Sequence, residues 1–498
     1  MSALFSELLL VAPLLLLIGG GLMIMLIDAF SKEGGDLAGI TATTLFVAGA
    51  ISAVALATGA SGEATPVMIT RYLSVDGLGL FFDVAICAGA GLSALLAGGY
   101  LREHRIERGE FYVVLLFSAA GAIVLARAVD LITIFIGLET MSLGVYSLVA
   151  YRRSSARAIE GAVKYFLLGS FAAAILLFGF ALLYGATGHT DLVGIGAQIA
   201  AGHADPSLVL IAAALVIVGL AFKISAVPFH MWTPDAYEGA ATPATTFMSV
   251  AVKAAGFAVM LRLLLVSFGD ERLANEQMGW PPLLAAIAAV TMLYGNLAAL
   301  AQKSVKRMLA YSSIAHAGYA LVGVTAAFAA PEEGVSSVLF YMLAYTVSNA
   351  LAFGTLILIG SHGKEAVSYE DLAGVGRRHP LVALPFVIAV LSLMGLPPTA
   401  GFFAKYYVLL SAIEVGGGMV WLAVLLVLSS AIGAYYYLRV IVFMFMKEPQ
   451  PGASVAVPMR SGYVAFALVI AGYFVMKMGI TPGFYVELAV DAARSFLS

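Results

Sequence analysis

The sequence predicts an all-α integral membrane protein of about fourteen transmembrane helices, and three observations carry that reading. Of its 498 residues, 62% are hydrophobic and only 11% are charged, against roughly a quarter charged in an ordinary soluble domain. Apolar runs long enough to cross a bilayer, about eighteen residues or more, follow one another along almost the whole chain. The polar breaks between them are too short to hold a soluble domain. A length that would otherwise suggest about three domains is therefore taken up by one membrane-embedded body.

The first run, 8–30, is too long for a signal-peptide core and follows a stretch, Met1 to Glu7, without Lys or Arg, so it reads as a retained helix. Further spans are expected at 37–58, 75–100, 111–128, 130–151, 160–186, 208–227, 242–267, 281–302, 306–330, 334–361, 381–415, 418–446 and 461–481. Two of them are interrupted. The seventh runs into Val227-Pro228-Phe229-His230 and then Thr233-Pro234-Asp235, and the twelfth is cut by Gly395-Leu396-Pro397-Pro398. Proline lacks the N–H that continues a helical ladder, and broken backbone at membrane depth is tolerated only where it faces protein or a wet cavity. A packing kink would explain either break, but both lie close to a lysine.

The interrupted spans are five apart, which suggests two five-helix units, spans 4–8 and 9–13. An odd number of helices per unit makes the second enter from the opposite face, giving an inverted repeat with its sites at the broken helices. The expected divisions are 1–110 for spans 1–3, 111–267 for the first repeat, 281–446 for the second and 461–498 for span 14. Basic residues set the orientation. Alternate loops hold Lys32, Arg102, Arg105, Arg108, Arg152, Arg153, Arg157, Lys303, Lys306, Arg307, Lys364, Arg377, Arg378, Lys447 and Arg460; the others hold little more than Arg71, Arg127 and Arg272. The positive-inside rule then puts both termini on the outer side.

A net charge of -3 with short loops excludes a nucleic-acid partner. The single cysteine, Cys87, can form neither an internal disulfide nor a cysteine-ligated zinc or iron–sulfur site. Any redox centre must sit on a partner.

Ionisable side chains at bilayer depth are costly, and those that persist are functional candidates. Glu139 lies about nine residues into its span, near mid-membrane at 1.5 Å per residue. Lys223 precedes the first break, Lys253 is central in span 8, and Lys405 follows the second break. Lys405 could snorkel and a Glu–Lys pair could merely satisfy itself, but Lys253 has apolar residues for many positions on either side. A file of interacting buried groups can pass protons and be biased from a distance. His230 and His316 titrate near neutrality in their ordinary state and are possible relays, although a lone histidine among helices is more often a packing group. Lys164, Tyr146, Ser312 and Ser313 have weaker claims, and Asp76 and Asp83 read as structural.

The stretch from Phe222-Lys223-Ile224 through Pro228-Phe229-His230-Met231-Trp232-Thr233-Pro234-Asp235 to Ala240 resembles the broken-helix signature of the proton-pumping, antiporter-like subunits of complex I. Lys306-Arg307-Met308-Leu309-Ala310-Tyr311-Ser312-Ser313-Ile314-Ala315-His316, and Gly395-Leu396-Pro397-Pro398 leading to Gly401-Phe402-Phe403-Ala404-Lys405, extend the match over nearly the whole chain. Within that family the chain resembles the N branch of the bacterial NADH–quinone oxidoreductases. The L branch normally carries a long C-terminal lateral helix, and the M branch a glutamate where this chain has Lys405. The resemblance implies that the family's proton-path residues are Glu139, Lys223, Lys253 and Lys405. It also implies that NADH, FMN, iron–sulfur clusters and quinone bind to partner subunits, that the chain itself binds no cofactor or metal, and that it resides in the bacterial inner membrane beside other antiporter-like subunits. An Mrp-type cation/proton antiporter subunit would share this architecture and its central lysines. A quinone-reactive redox enzyme would need cofactor ligands, and a passive scaffold would not need four ionisable groups at depth.

Overall fold

The polar breaks do more than separate spans, because they carry the residues that start helices. Asp36, Asp76, Asp130, Ser155, Asp205, Ser304 and Ser461 each accept a hydrogen bond from a backbone N–H in the first turn of the helix that follows. These donors have no partner within the helix. The computed structural model describes residues 2–30, 36–59, 71–274, 279–360, 365–449 and 457–498. Lys32 and Lys364, counted above among the basic loops, lie outside the described residues.

The helices are α1 (Ser2–Phe30), α2 (Leu37–Ala57), α3 (Gly77–Glu103), α4 (Gly109–Arg127), α5 (Leu131–Val149) and α6 (Ala156–Thr187). The seventh is divided into α7a (Pro206–Lys223) and α7b (Thr233–Gly239). There follow α8 (Thr242–Ser267), α9 (Trp280–Leu300), α10 (Val305–Ala326) and α11 (Pro331–Ile359). The twelfth is divided into α12a (Pro380–Met394) and α12b (Ala400–Val415), and α13 (Val420–Met446), α14 (Gly462–Ile480) and α15 (Gly483–Leu497) complete the chain. A short helix, Leu192–Ala200, lies between α6 and α7a. Among the described residues, 12 helices are long and apolar enough to cross a membrane. The two expected spans outside that set have a reason to be there: Lys306, Arg307, Ser312, Ser313 and His316 dilute the apolar run of α10, and the break leaves α12 in halves of 15 and 16 residues. Helix α15 was not expected. Glu487, Asp491 and Arg494 make it too polar to span, and it packs on α11 and α3 through Ala489, Ala492 and Ala493, with Arg494 bonded to Glu332 at 2.7 Å.

Burial sorts the helices into an inner and an outer set. Helices α3, α8, α10 and α11 are buried along nearly their whole length, whereas α1, α2, α6, α13 and α14 present large apolar side chains outward, among them Leu26, Val54, Phe171, Tyr435 and Val469. Helix α8 is not a plain α-helix. It widens to π-helical turns at Met248–Val252 and Leu263–Ser267, so Lys253–Arg262 is an α-helical segment between two loosened ones. Such widenings are frequent at functional sites.

Candidate functional site

Lys223 is the last residue of α7a, and the chain leaves the helix directly after it. Ser225 adopts a left-handed backbone (φ 64°). Groups freed by the break find partners nearby: the Val227 N–H donates to Thr291 Oγ1 at 3.0 Å, and the Trp232 indole donates to the Phe222 carbonyl at 3.1 Å. Lys223 is only 1% exposed. Its Nζ donates to Ser142 Oγ at 2.7 Å and lies 5.7 Å from the centre of the Tyr146 ring. Ser142 sits one turn beyond Glu139 on α5, so the serine rather than the carboxylate meets the ammonium directly. No ion pair within 4.0 Å joins Glu139 to Lys223 among the described residues, although the carboxylate is near enough for its charge to act on the lysine.

Buried polar atoms without a protein partner gather around this break: Glu139 Oε1, Tyr146 OH, Ser225 Oγ, His230 Nδ1 and Thr233 Oγ1. Buried polar atoms are normally paired, so five such atoms around one break are a notable local concentration among the described residues.

The second group is built where α8 meets α10. A Cβ added at Gly256 would come within 2.9 Å of the Ile224 side chain and 3.8 Å of the Lys223 Cβ, so the absence of a side chain lets α8 pack against the end of α7a. One turn earlier, Lys253, also 1% exposed, donates from Nζ to the carbonyl and hydroxyl oxygens of Ser313 on α10. The Ser313 hydroxyl is 3.4 Å from the Tyr237 hydroxyl of α7b. Ser312 and His316, one turn apart on α10, both bond to the hydroxyl of Tyr437 on α13, His316 through Nε2 at 3.1 Å. His316 Nδ1 meets the Tyr341 hydroxyl of α11 at 2.6 Å, and the ring feels the charges of both Lys253 and Lys405.

Lys405 completes the file. Its Nζ donates to the Met394 carbonyl at 2.9 Å, an acceptor that the break at the end of α12a leaves free, and to Ser430 Oγ on α13 at 2.6 Å. It lies 4.8 Å from the centre of the Tyr319 ring, whose hydroxyl accepts from Asn296 at 2.8 Å. Gly395 ends α12a with φ 89°, and a Cβ there would stand 3.0 Å from the Lys405 side chain. The turn and the lysine both call for glycine.

The structure thus brings Lys223, Lys253, His316 and Lys405 into the interior, leaves Glu139 partly exposed, and keeps Tyr146 between Lys223 and Tyr165. His230 packs on Tyr294 with ring centres 4.6 Å apart. Lys164 stands apart from the file. Its side chain is 44% exposed and tied to Glu160 at 2.6 Å and Asp235 at 2.8 Å. Asp83 pairs with Arg127, and Asp76 with Arg262 at 2.6 Å, stitching α3 to α4 and α8. Sequence reasoning missed Ser142, Tyr341, Tyr437 and Ser430. Ser142 could have been found from its one-turn spacing to Glu139, but nothing local marks the other three.

The family model described as "NADH:quinone oxidoreductase/Mrp antiporter, TM" matches residues 128–433, which include Glu139, Lys223, Lys253, His316 and Lys405. NADH-quinone oxidoreductase subunit N 1 of Sorangium cellulosum (strain So ce56) is 56% identical over 97% of this chain and 97% of its own length. A chain of respiratory complex I from Thermus thermophilus, solved with bound aureothin, superposes with a TM-score of 0.78 at 36% identity, covering 96% of this chain and 99% of that one. A chain of the membrane-bound sulfane sulfur reductase, an archaeal respiratory membrane complex, gives a TM-score of 0.83 at 26% identity over 99% and 98%.

Proposed function

The chain belongs to the NADH:quinone oxidoreductase/Mrp antiporter family, and from that premise we propose that it moves protons through the buried groups described above. It is the proton-translocating subunit N of a bacterial NADH–quinone oxidoreductase, a multi-pass membrane protein working beside the other complex I subunits. The family description also covers Mrp antiporters, but the identity to subunit N over nearly the full length of both chains favours the respiratory complex.

The observation that carries the mechanism is the file itself: three lysines with a histidine between two of them, buried across α7, α8, α10 and α12, each held by neutral hydroxyls and carbonyls rather than by a carboxylate. A lysine bonded to a hydroxyl or a carbonyl keeps a proton that it can release, whereas a tight carboxylate would lock it. Lys223 serves as the central carrier, loaded at the α7 break where unpaired polar atoms gather, and Glu139 biases it by charge at a distance. Lys253 and the Ser312–Tyr437–His316 group pass the proton towards Lys405 for release. NADH, FMN, iron–sulfur clusters and quinone belong to partner subunits. The five-span separation of the two broken helices supports a reading as two inverted five-helix units, 111–267 and 281–446, flanked by 1–110 and 461–498. Both termini face the outer side of the cell membrane, and a reporter fused at Ser498 that reads the cytoplasm would overturn that orientation.

The decisive experiment compares Lys223→Ala and Lys223→Arg in the assembled complex, measuring NADH oxidation and proton pumping in membrane vesicles. A guanidinium keeps its proton, so both variants should lose coupled pumping. Full pumping by Lys223→Arg would show that a fixed charge suffices and would remove Lys223 from the path.

A further inference from the structure

Outside the file, a largely buried polar cluster lies at the face that carries the basic loops. Its centre is Glu365, in the segment after α11. The carboxylate accepts from Thr242 Oγ1 at 2.6 Å, the Tyr100 hydroxyl at 2.8 Å and Arg152 Nη1 at 2.9 Å, and lies 3.4 Å from Lys306 Nζ. These partners stand on α8, α3, the loop after α5, and α10. Lys306 is fully buried, and its other bond, 2.7 Å, is to the Ala240 carbonyl in the link between α7b and α8. The side chain of Glu365 is 15% exposed.

Two of the four partners belong to the helices that make the central contact of the file. Thr242 opens α8, which carries Lys253, and Lys306 opens α10, which carries Ser313. On α10, Lys306 and Ser313 are seven residues apart and so share a face, about 10 Å from one another. On α8, the π-helical turns Met248–Val252 fall between Thr242 and Lys253. A helix loosened there leaves the stand of Lys253 against α10 to the ties at the helix ends. Lys306 makes one directly, to the Ala240 carbonyl, and Glu365 makes another by joining Lys306 to Thr242.

We propose that Glu365 is a positioning residue for proton transfer: it clamps the basic-face ends of α8 and α10 together and so sets the approach of Lys253 to Ser313. The proposal rests on the reading that Lys253 carries protons. It also assigns Lys306 a partner's role, as the cation through which the clamp grips α10. Removing the carboxylate would leave Lys306 and Arg152 in one cluster with no counter-charge among these groups, driving apart the ends it now joins.

The test uses the whole complex in inverted membrane vesicles, with E365Q, E365K, K306E and the exchanged pair E365K/K306E, and follows assembly, NADH oxidation and proton pumping. E365Q should assemble and pump more slowly, by up to about a hundredfold, the scale of an ångström of misplacement at a reacting group. The exchanged pair restores one carboxylate against two cations, though not the Lys306 bond to the Ala240 carbonyl, and should recover part of the pumping that E365K or K306E loses. Wild-type pumping by E365Q would overturn the proposal. If the single variants fail to assemble, the exchanged pair still decides: recovered assembly and pumping support the clamp, whereas recovered assembly without pumping reduces it to a structural ion pair. Lys253→Ala, run alongside, separates the two readings, because normal pumping by that variant would fault the path itself rather than the clamp.

Discussion

Tyr437 is the residue through which the middle of the file can be tested with the least disturbance. Its hydroxyl is the meeting point of Ser312 Oγ and His316 Nε2, and its ring is buried against Tyr436, with centres 4.4 Å apart. Tyr437→Phe removes one oxygen and keeps the packing, so assembly should be unchanged. His316 Nε2 is then left buried without that partner, a loss worth about 1–3 kcal/mol. If His316 relays protons between Lys253 and Lys405, a change of that size at the relay slows the step by about 5- to 150-fold. Proton pumping in vesicles, read from a pH-sensitive dye and normalised to assembled complex, measures it directly. NADH oxidation should fall in step because the two processes are coupled. Pumping within about twofold of wild type would refute the reasoning, since a change below about 0.5 kcal/mol would mean that no proton crosses at His316.

Three further outcomes follow from the same geometry. Lys405→Ala should assemble and lose pumping together with coupled quinone reduction; normal pumping would place the exit elsewhere. Gly401→Ala would set a Cβ against the Ser392 carbonyl oxygen at the α12 break, so the complex should lose thermal stability by at least the roughly 1–3 kcal/mol of an overpacked interior, measured as the unfolding temperature in detergent. Burial pushes Glu365 up, but Lys306, the Thr242 hydrogen bond, Arg152 and Tyr100 outweigh it and hold the carboxyl at about 2, below its ordinary 4.5. Because that value is depressed, the stability it contributes, about 3 kcal/mol, is fully present above pH 4.5 and lost as pH falls through 2. The stability difference between wild type and E365Q should therefore be flat from pH 7 to about 5 and shrink below that; a difference that changes between pH 7 and 6 would refute the assignment.

The membrane class, the boundaries of most spans and both helix breaks were legible in the chain, because each depends on local chemistry. Hydrocarbon demands about twenty apolar residues per crossing, aspartate and serine cap helices, and proline cannot donate to a ladder. The lysines were legible for the same reason, since a charge inside an apolar run is conspicuous wherever the run is placed. Partners were not. The sequence picks out Glu139 and Lys223 and, with a weaker claim, Lys164, but not the groups that each meets; the fold gives Lys223 to Ser142, leaves Glu139 partly exposed, and ties Lys164 to Glu160 and Asp235 at the surface. Nor could hydropathy sort the inner helices from the outer ones, because lipid and protein interior are equally apolar. Only the tertiary packing decided that α8 and α10 lie at the centre, that Tyr437 of α13 reaches His316, and that Glu365, from a segment distant in sequence, joins Thr242 to Lys306. Local composition determines what can enter the membrane; which buried groups meet there depends on helix contacts between residues tens to hundreds of positions apart.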